Sequence, residues 1–87
     1  MTPSTRDVED WIVNRVSGLT GTEPAAIDVN APFRRHGLDS VAVVTLAADL
    51  ETWLGYRFRA NPLDEHPTIA DLAAFLADEV ARGKGPA

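Results

Sequence analysis

The sequence contains no cysteine, which excludes a disulfide framework and a thiolate zinc site as sources of stability. Its two histidines, His36 and His66, sit in separate segments and make a poor basis for a metal site, so no metal is expected. No apolar run approaches the roughly 20 residues needed to span a bilayer, because Asp, Glu, Arg or Thr interrupts every such stretch. The N-terminal Met1-Thr2-Pro3-Ser4-Thr5-Arg6 leads into acidic residues with no secretory apolar core. A cytoplasmic protein that does not enter a membrane is the expectation. Basic charge is scarce as well, with 8 Lys and Arg against 13 Asp and Glu and a net charge of -5. Nucleic-acid binders need a basic face to replace counterions on phosphates, so that class is excluded. The acidic balance favours solubility and partners with basic surfaces.

With 87 residues of which 45% are apolar, the chain is expected to form one domain over 1–87, with a core of about 5–82 and a flexible tail at 83–87. A domain of this size buries a limited share of its surface, so aliphatic residues on packed helices must supply the core. Helical periodicity is the main signal. A first helix is predicted from about Ser4 to Ser17, capped by Ser4 or Thr5, with Asp7, Glu9 and Asp10 near its positive end. Val8, Trp11, Ile12, Val16 and Leu19 form its apolar stripe, and Gly18 and Gly21 end it.

Residues 20–39 carry no sustained period and read as a long loop. Ile27, Val29, Phe33 and Leu38 are set among turn formers there, as anchors to the core, and Pro24 and Pro32 stiffen it. Long loops that pin themselves in this way are more often functional than idle.

A second helix is predicted from Asp39 or Ser40 to about Leu54, with Gly55 as its stop. Val43, Leu46, Ala47, Leu50 and Leu54 share one face. Val41, Val44, Thr45, Ala48 and Glu51 share another that is less polar than a plain surface helix needs, either as an extension of the core stripe or as a docking surface. Tyr56 to Ala60 reads as an extended connector, since a lone strand would have no partner. Pro62 suits the first turn of a short helix. Thr68 with Asp71 resembles a capping box for a last helix, striped by Ile69, Leu72, Ala73, Leu76 and Val80 with Phe75 beside them. The expected fold is all-α: a four-helix bundle of three main helices and one short helix, with a long first loop.

Chemistry concentrates at Gly37-Leu38-Asp39-Ser40-Val41, where loop becomes helix. A serine at a helix N-terminus has its hydroxyl beside unpaired backbone N–H groups. Such a position favours a phosphate ester, although Ser40 or Asp39 would also serve as a plain helix cap. A hydrolase built on Ser40, His36 and Asp39 is the enzymatic rival, but nothing in a loop–helix junction makes His36 meet Ser40, and a triad needs an oriented base. Arg34 and Arg35 are expected as a solvated charge pair, with contact to a phosphate group at the motif or to an acidic partner as the alternative. Trp11 and Trp53 are expected as core or half-buried packing residues, His36 at the edge of the docking surface, and His66 facing solvent or capping a helix.

The five-residue stretch resembles the modification motif of phosphopantetheine-binding acyl carrier proteins, in which an Asp-Ser pair precedes a hydrophobic residue. Ala31-Pro32-Phe33, the run from Leu46 to Leu54, and Leu63-Asp64-Glu65-His66-Pro67-Thr68-Ile69 with Leu72 are similar to corresponding family segments, so the likeness extends from about residue 8 to 80. It implies that Ser40 accepts 4'-phosphopantetheine from coenzyme A through a separate phosphopantetheinyl transferase that uses magnesium. It further implies that Asp39 assists that transfer, and that Val41, Val44, Thr45 and Ala48 meet partner enzymes. The chain would then be a non-catalytic carrier of thioester-bound acyl groups, the thiol coming from the arm because the protein has none. Its implied partners are an acyl-loading enzyme (an acyltransferase or an acyl-adenylate ligase) and a ketosynthase or other acyl-processing enzyme, with the carrier itself a monomer.

Asp39 and Val41 around Ser40 resemble polyketide-type carriers more than the Gly-Gly-[His/Asp]-Ser pattern of peptidyl carriers. Glu51-Thr52-Trp53-Leu54-Gly55 with Pro67-Thr68-Ile69 is similar to carriers that work with fatty-acyl-adenylate ligases or within polyketide synthases. Ala42, Thr45, Ala48 and Thr52 stand where dedicated fatty-acid synthase carriers show acidic residues. A peptidyl or aminoacyl carrier of a nonribosomal pathway, and an unmodified helical docking domain, are the alternatives.

Overall fold

Helix α1 runs over Thr5–Thr20, opened by Ser4 in a complete capping box. The Ser4 hydroxyl accepts from the Asp7 N–H at 3.1 Å, and the Asp7 carboxylate accepts from the Ser4 N–H at 3.0 Å. The computed structural model describes residues 3–55, 57, 58 and 61–83. After α1 come α2 (Ser40–Leu54), the short α3 (Pro62–Glu65) and α4 (Ile69–Ala81), with 3₁₀ turns at Pro24–Ala26 and Phe33–His36 in the long first loop. No strand occurs among the described residues, so the predicted all-α architecture and helix order hold.

The predicted end of α1 is corrected. The helix continues through Gly18 and stops at Gly21, whose φ of 74° no other residue type adopts cheaply. The Gly21 N–H donates to the Ser17 carbonyl at 2.9 Å, and the Thr20 hydroxyl donates to the Val16 carbonyl at 2.8 Å. One glycine inside a helix costs only about 1 kcal/mol relative to alanine, a penalty small enough for the turn closed by these two bonds to form beyond it. Leu19 is the second correction: its angle suits the stripe, yet it is 38% exposed. A stripe is buried only as far as neighbouring elements cover it, and here burial ends at Val16.

Val8, Ile12 and Val16 of α1, Leu46 and Leu50 of α2, and Ile69, Leu72 and Leu76 of α4 are fully buried. Each is worth roughly 1.5–3 kcal/mol of transfer free energy. Val80, placed in the α4 stripe from its spacing, is only partly buried, and Ala77 faces the core as well.

The long loop is held as its apolar residues suggest. Ile27, Phe33 and Leu38 are buried, and Val29 packs against the core. Backbone hydrogen bonds add to this: Phe33 N–H donates to the Pro67 carbonyl at 2.8 Å, and Ala70 N–H to the Val29 carbonyl at 2.9 Å. The second satisfies a first-turn N–H of α4 that has no partner within its own helix.

At α4 the capping box is half formed. The Thr68 hydroxyl accepts from the Asp71 N–H at 3.1 Å, but the Asp71 carboxylate turns to His66 Nδ1 at 3.4 Å. His66 is therefore not simply solvent-facing; it stacks on Phe75 with ring centroids 4.2 Å apart and sits beside the first turn of α4. Asn61 caps α3 by accepting from the Leu63 N–H. Of the expected connector, Arg57 and Phe58 are non-helical, and Phe58 N–H donates to the Glu51 carboxylate at 2.7 Å. Tyr56, Arg59 and Ala60, and the tail beyond Gly83, lie outside the described residues.

Candidate functional site

The end of the long loop and the start of α2 define the site. Gly37 turns the chain with φ of 77°, Leu38 is buried as an anchor, and Asp39 leaves the loop with extended backbone angles. Asp39 is the cap: its Oδ1 accepts from the Ala42 N–H at 2.8 Å, while its carbonyl accepts from the Val43 N–H at 3.0 Å. Ser40 is thereby the first residue of α2, and it is exposed. Since Asp39 performs the capping, the Ser40 side chain is left without a hydrogen bond among the described residues. The N–H groups of Ser40 and Val41 are likewise without acceptors there.

These features fit a phosphodiester on the Ser40 oxygen. The hydroxyl is accessible, two backbone donors stand beside it, and the positive end of a 15-residue helix favours negative charge. A competing role for Ser40 as the cap is removed by the Asp39 geometry.

Four of the five residues on the predicted outer face of α2 are exposed, and the fifth, Glu51, is half-buried where it accepts from the Phe58 N–H. Val41 is 72% and Val44 63% exposed, and Thr45 and Ala48 are exposed beside them. The core-stripe reading of Val41 and Val44 is thus excluded, because Leu46, Ala47 and Leu50 take the buried positions. Exposed branched aliphatics next to the N-terminal end of α2 form an apolar patch outside the core. Arg34 and Arg35 are exposed on the turn that precedes Gly37.

His36 lies on the same turn but does not act on Ser40. Its Nε2 is buried and has no hydrogen-bond partner among the described residues, and Asp39 is committed to the helix cap. The arrangement of a base oriented by a third group is missing. A groove lined by Phe33, Leu38, Val43, Leu63 and Pro67 lies between the loop, α2 and α3, but neither Ser40 nor His36 lines it. No group of three or more metal-ligating side chains occurs among the described residues.

Sequence reasoning missed the seam between α1 and α2. Trp11 and Trp53 stack with centroids 5.1 Å apart and planes 12° apart, and Arg15 pairs with Asp49 one turn further along. Rising numbers on α1 meet falling numbers on α2, so these helices run antiparallel.

Comparison with known proteins places this geometry. Residues 10–76 match the family model described as the phosphopantetheine attachment site. The chain is 34% identical to the acyl carrier protein TtuC of Teredinibacter turnerae over 76 residues, which is 87% of each protein. It is also 34% identical to the pikromycin polyketide synthase component PikAII of Streptomyces venezuelae, over 98% of this chain and 2% of that protein. A solved free-standing peptidyl carrier protein from Acinetobacter baumannii superimposes with a TM-score of 0.82 at 28% identity, covering 88% of this chain and 96% of the other. The fold and the loop–helix junction define a carrier protein of the acyl carrier class. The chain belongs to the phosphopantetheine attachment-site family, whose prosthetic group is 4'-phosphopantetheine. It spans nearly the whole of the free-standing acyl carrier relative and a few per cent of the polyketide synthase.

Proposed function

We propose that Ser40 is the attachment point of the arm and that the chain is a single non-catalytic carrier domain, serving polyketide or related assembly in the cytoplasm. The observation that carries this reading is the exposed Ser40 hydroxyl, free of internal hydrogen bonds at the first position of α2, with Asp39 already acting as the cap. The arm, when attached, supplies the terminal thiol that this cysteine-free chain lacks and that holds an acyl group as a thioester.

Everything else asked of the chain is presentation. The backbone N–H groups of Ser40 and Val41 would hold the phosphodiester of an attached arm. Asp39, the residue before Ser40 and the cap of its helix, assists attachment by the transferase. Val41, Val44, Thr45 and Ala48 give the transferase, the acyl-loading enzyme and the ketosynthase or other processing enzyme a weakly polar face. Tethering raises the local concentration of cargo at each of these partners. The absence of an acidic stripe on α2, where Thr45, Ala48 and Thr52 are exposed instead, favours polyketide-type partners over those of primary fatty-acid synthesis.

A second reading, as a peptidyl carrier, is favoured by the likeness to the Acinetobacter protein. The two separate by loading. The modified chain is offered to a malonyl-specific acyltransferase with malonyl-coenzyme A and, separately, to an amino-acid adenylating enzyme with ATP. Acyl loading without aminoacyl loading is the expected result. Aminoacyl loading alone would replace the polyketide reading with the peptidyl one.

A further inference from the structure

The seam between α1 and α2 runs out, away from Ser40, into an open groove of about 570 Å³ lined by Asp7, Asp10, Trp11, Trp53, Leu54 and Val80. Nearly the full length of α2 separates Trp53 from Ser40, about 20 Å at a rise of 1.5 Å per residue. Neither attachment nor the α2 face built around Val41 and Val44 uses this groove.

Its chemistry is distinctive. Trp53 remains 40% exposed although its ring is stacked on Trp11, so aromatic surface is left in water. One cation already uses these rings: the Arg15 guanidinium lies 5.9 Å from the Trp11 ring centroid while it pairs with Asp49. Arg15 stands one turn nearer the Ser40 end of the bundle. On the other side of the rings, Asp7 and Asp10 bring negative charge. One oxygen of Asp7 serves the α1 cap, and one oxygen of Asp10 meets Arg6 in a pair whose side chains are 80% and 58% exposed. An exposed pair of this kind contributes little and exchanges readily. The second oxygen of each carboxylate has no hydrogen bond among the described residues. Leu54 and Val80 add an aliphatic wall.

Carboxylates beside stacked indoles and an aliphatic wall suit a cation carried on an apolar stem, which is an arginine or lysine side chain. We propose that the groove is a second docking site, whose occupant is a basic segment of a partner protein that lays such a side chain over the indoles and between Asp7 and Asp10. The net charge of -5 assists this encounter and disfavours an anionic lipid surface as the occupant. A partner held here leaves Ser40 and the outer face of α2 open to enzymes, so one contact anchors while the other transacts.

The inference is independent of attachment at Ser40 and is tested on the unmodified full chain. The chain has two tryptophans and both line the groove, so their two indole N–H resonances report occupancy directly. The probe is an acetylated, amidated Gly-Arg-Leu-Gly-Arg-Leu peptide, compared with the same peptide carrying neutral citrulline in place of arginine. The arginine peptide is expected to shift both indole resonances saturably, with the citrulline peptide at least about tenfold weaker. Asp10→Asn is expected to weaken binding about threefold or more with an unchanged melting temperature, and Trp53→Leu to abolish it. Equal binding of the citrulline peptide would overturn the proposal. So would shifts confined to Val41–Ala48, or displacement of the peptide by an equal concentration of spermidine, which would identify a small polyamine as the occupant.

Discussion

Asp39 caps α2, and the proposed attachment would give it a second, chemical task. Its carboxylate caps α2 through the Ala42 N–H, and the residue immediately precedes Ser40 in the chain. Asparagine caps helices about as well as aspartate, whereas alanine loses about 1 kcal/mol. Asp39→Asn should therefore keep the wild-type urea midpoint while slowing phosphopantetheine attachment about tenfold or more; Asp39→Ala should lose both stability and rate. An unchanged attachment rate in Asp39→Asn would reduce Asp39 to a cap. Val41 and Val44 behave in the opposite way. At 72% and 63% exposure they contribute little to folding, and Val41→Asp or Val44→Asp should change stability by no more than about 0.5 kcal/mol. Partner enzymes should nevertheless show a raised KM for these variants, measured in a loading assay beside a thermal melt. The position of Asp39 and Ser40 at the start of α2 was legible in the sequence because the glycine-led motif and the helix start coincide. The exposure of Val41 and Val44 was not, since periodicity alone left them as core or surface, and only the burial of Leu46, Ala47 and Leu50 decides it.

Helix ends and helix pairings differ in how far sequence reveals them. The start of α1 at Ser4, the limits of α2 and the turn at Pro62 were readable because capping side chains and glycines act locally. Gly18 misled for the same reason: a small local penalty is tolerated where Gly21 closes the final turn of the helix. The Asp71–His66 contact also escaped a local reading, because the capping partner expected from spacing faced a competitor outside the helix. The α1–α2 seam could not be read at all, because the register between two helices depends on their antiparallel docking. Its contribution is measurable. A double-mutant cycle of Trp11→Leu and Trp53→Leu, followed by urea denaturation, should give a coupling of about 0.5–1.5 kcal/mol beyond the buried area. Additive effects would mean that the rings are neighbours without stabilising one another.

At the scale of the whole molecule, one cluster of buried residues joins all four helices and the long loop. Ile27, Phe33 and Leu38 commit the loop to that cluster, so the path leading into Ser40 is set by the core. Such a small domain has only about 5–15 kcal/mol of stability in total, and the fully buried Leu50 should cost about 2–5 kcal/mol when truncated to alanine. Leu50→Ala should melt well below the wild type and be a poorer substrate for attachment, whereas Leu19→Ala, at a position the stripe placed in the core, should be far milder. The architecture was legible because each buried stripe repeats at helical spacing; how far each stripe stays covered was not, since coverage is set by neighbouring elements. One covalent bond is decisive. The chain is incubated with coenzyme A and a broad-specificity phosphopantetheinyl transferase, and its intact mass and proteolytic peptides are measured. Attachment at Ser40 predicts a single added phosphopantetheine, carried by the peptide that contains Ser40 and absent from Ser40→Ala. An unmodified wild type beside a competent control carrier, or an arm that persists in Ser40→Ala, would contradict it.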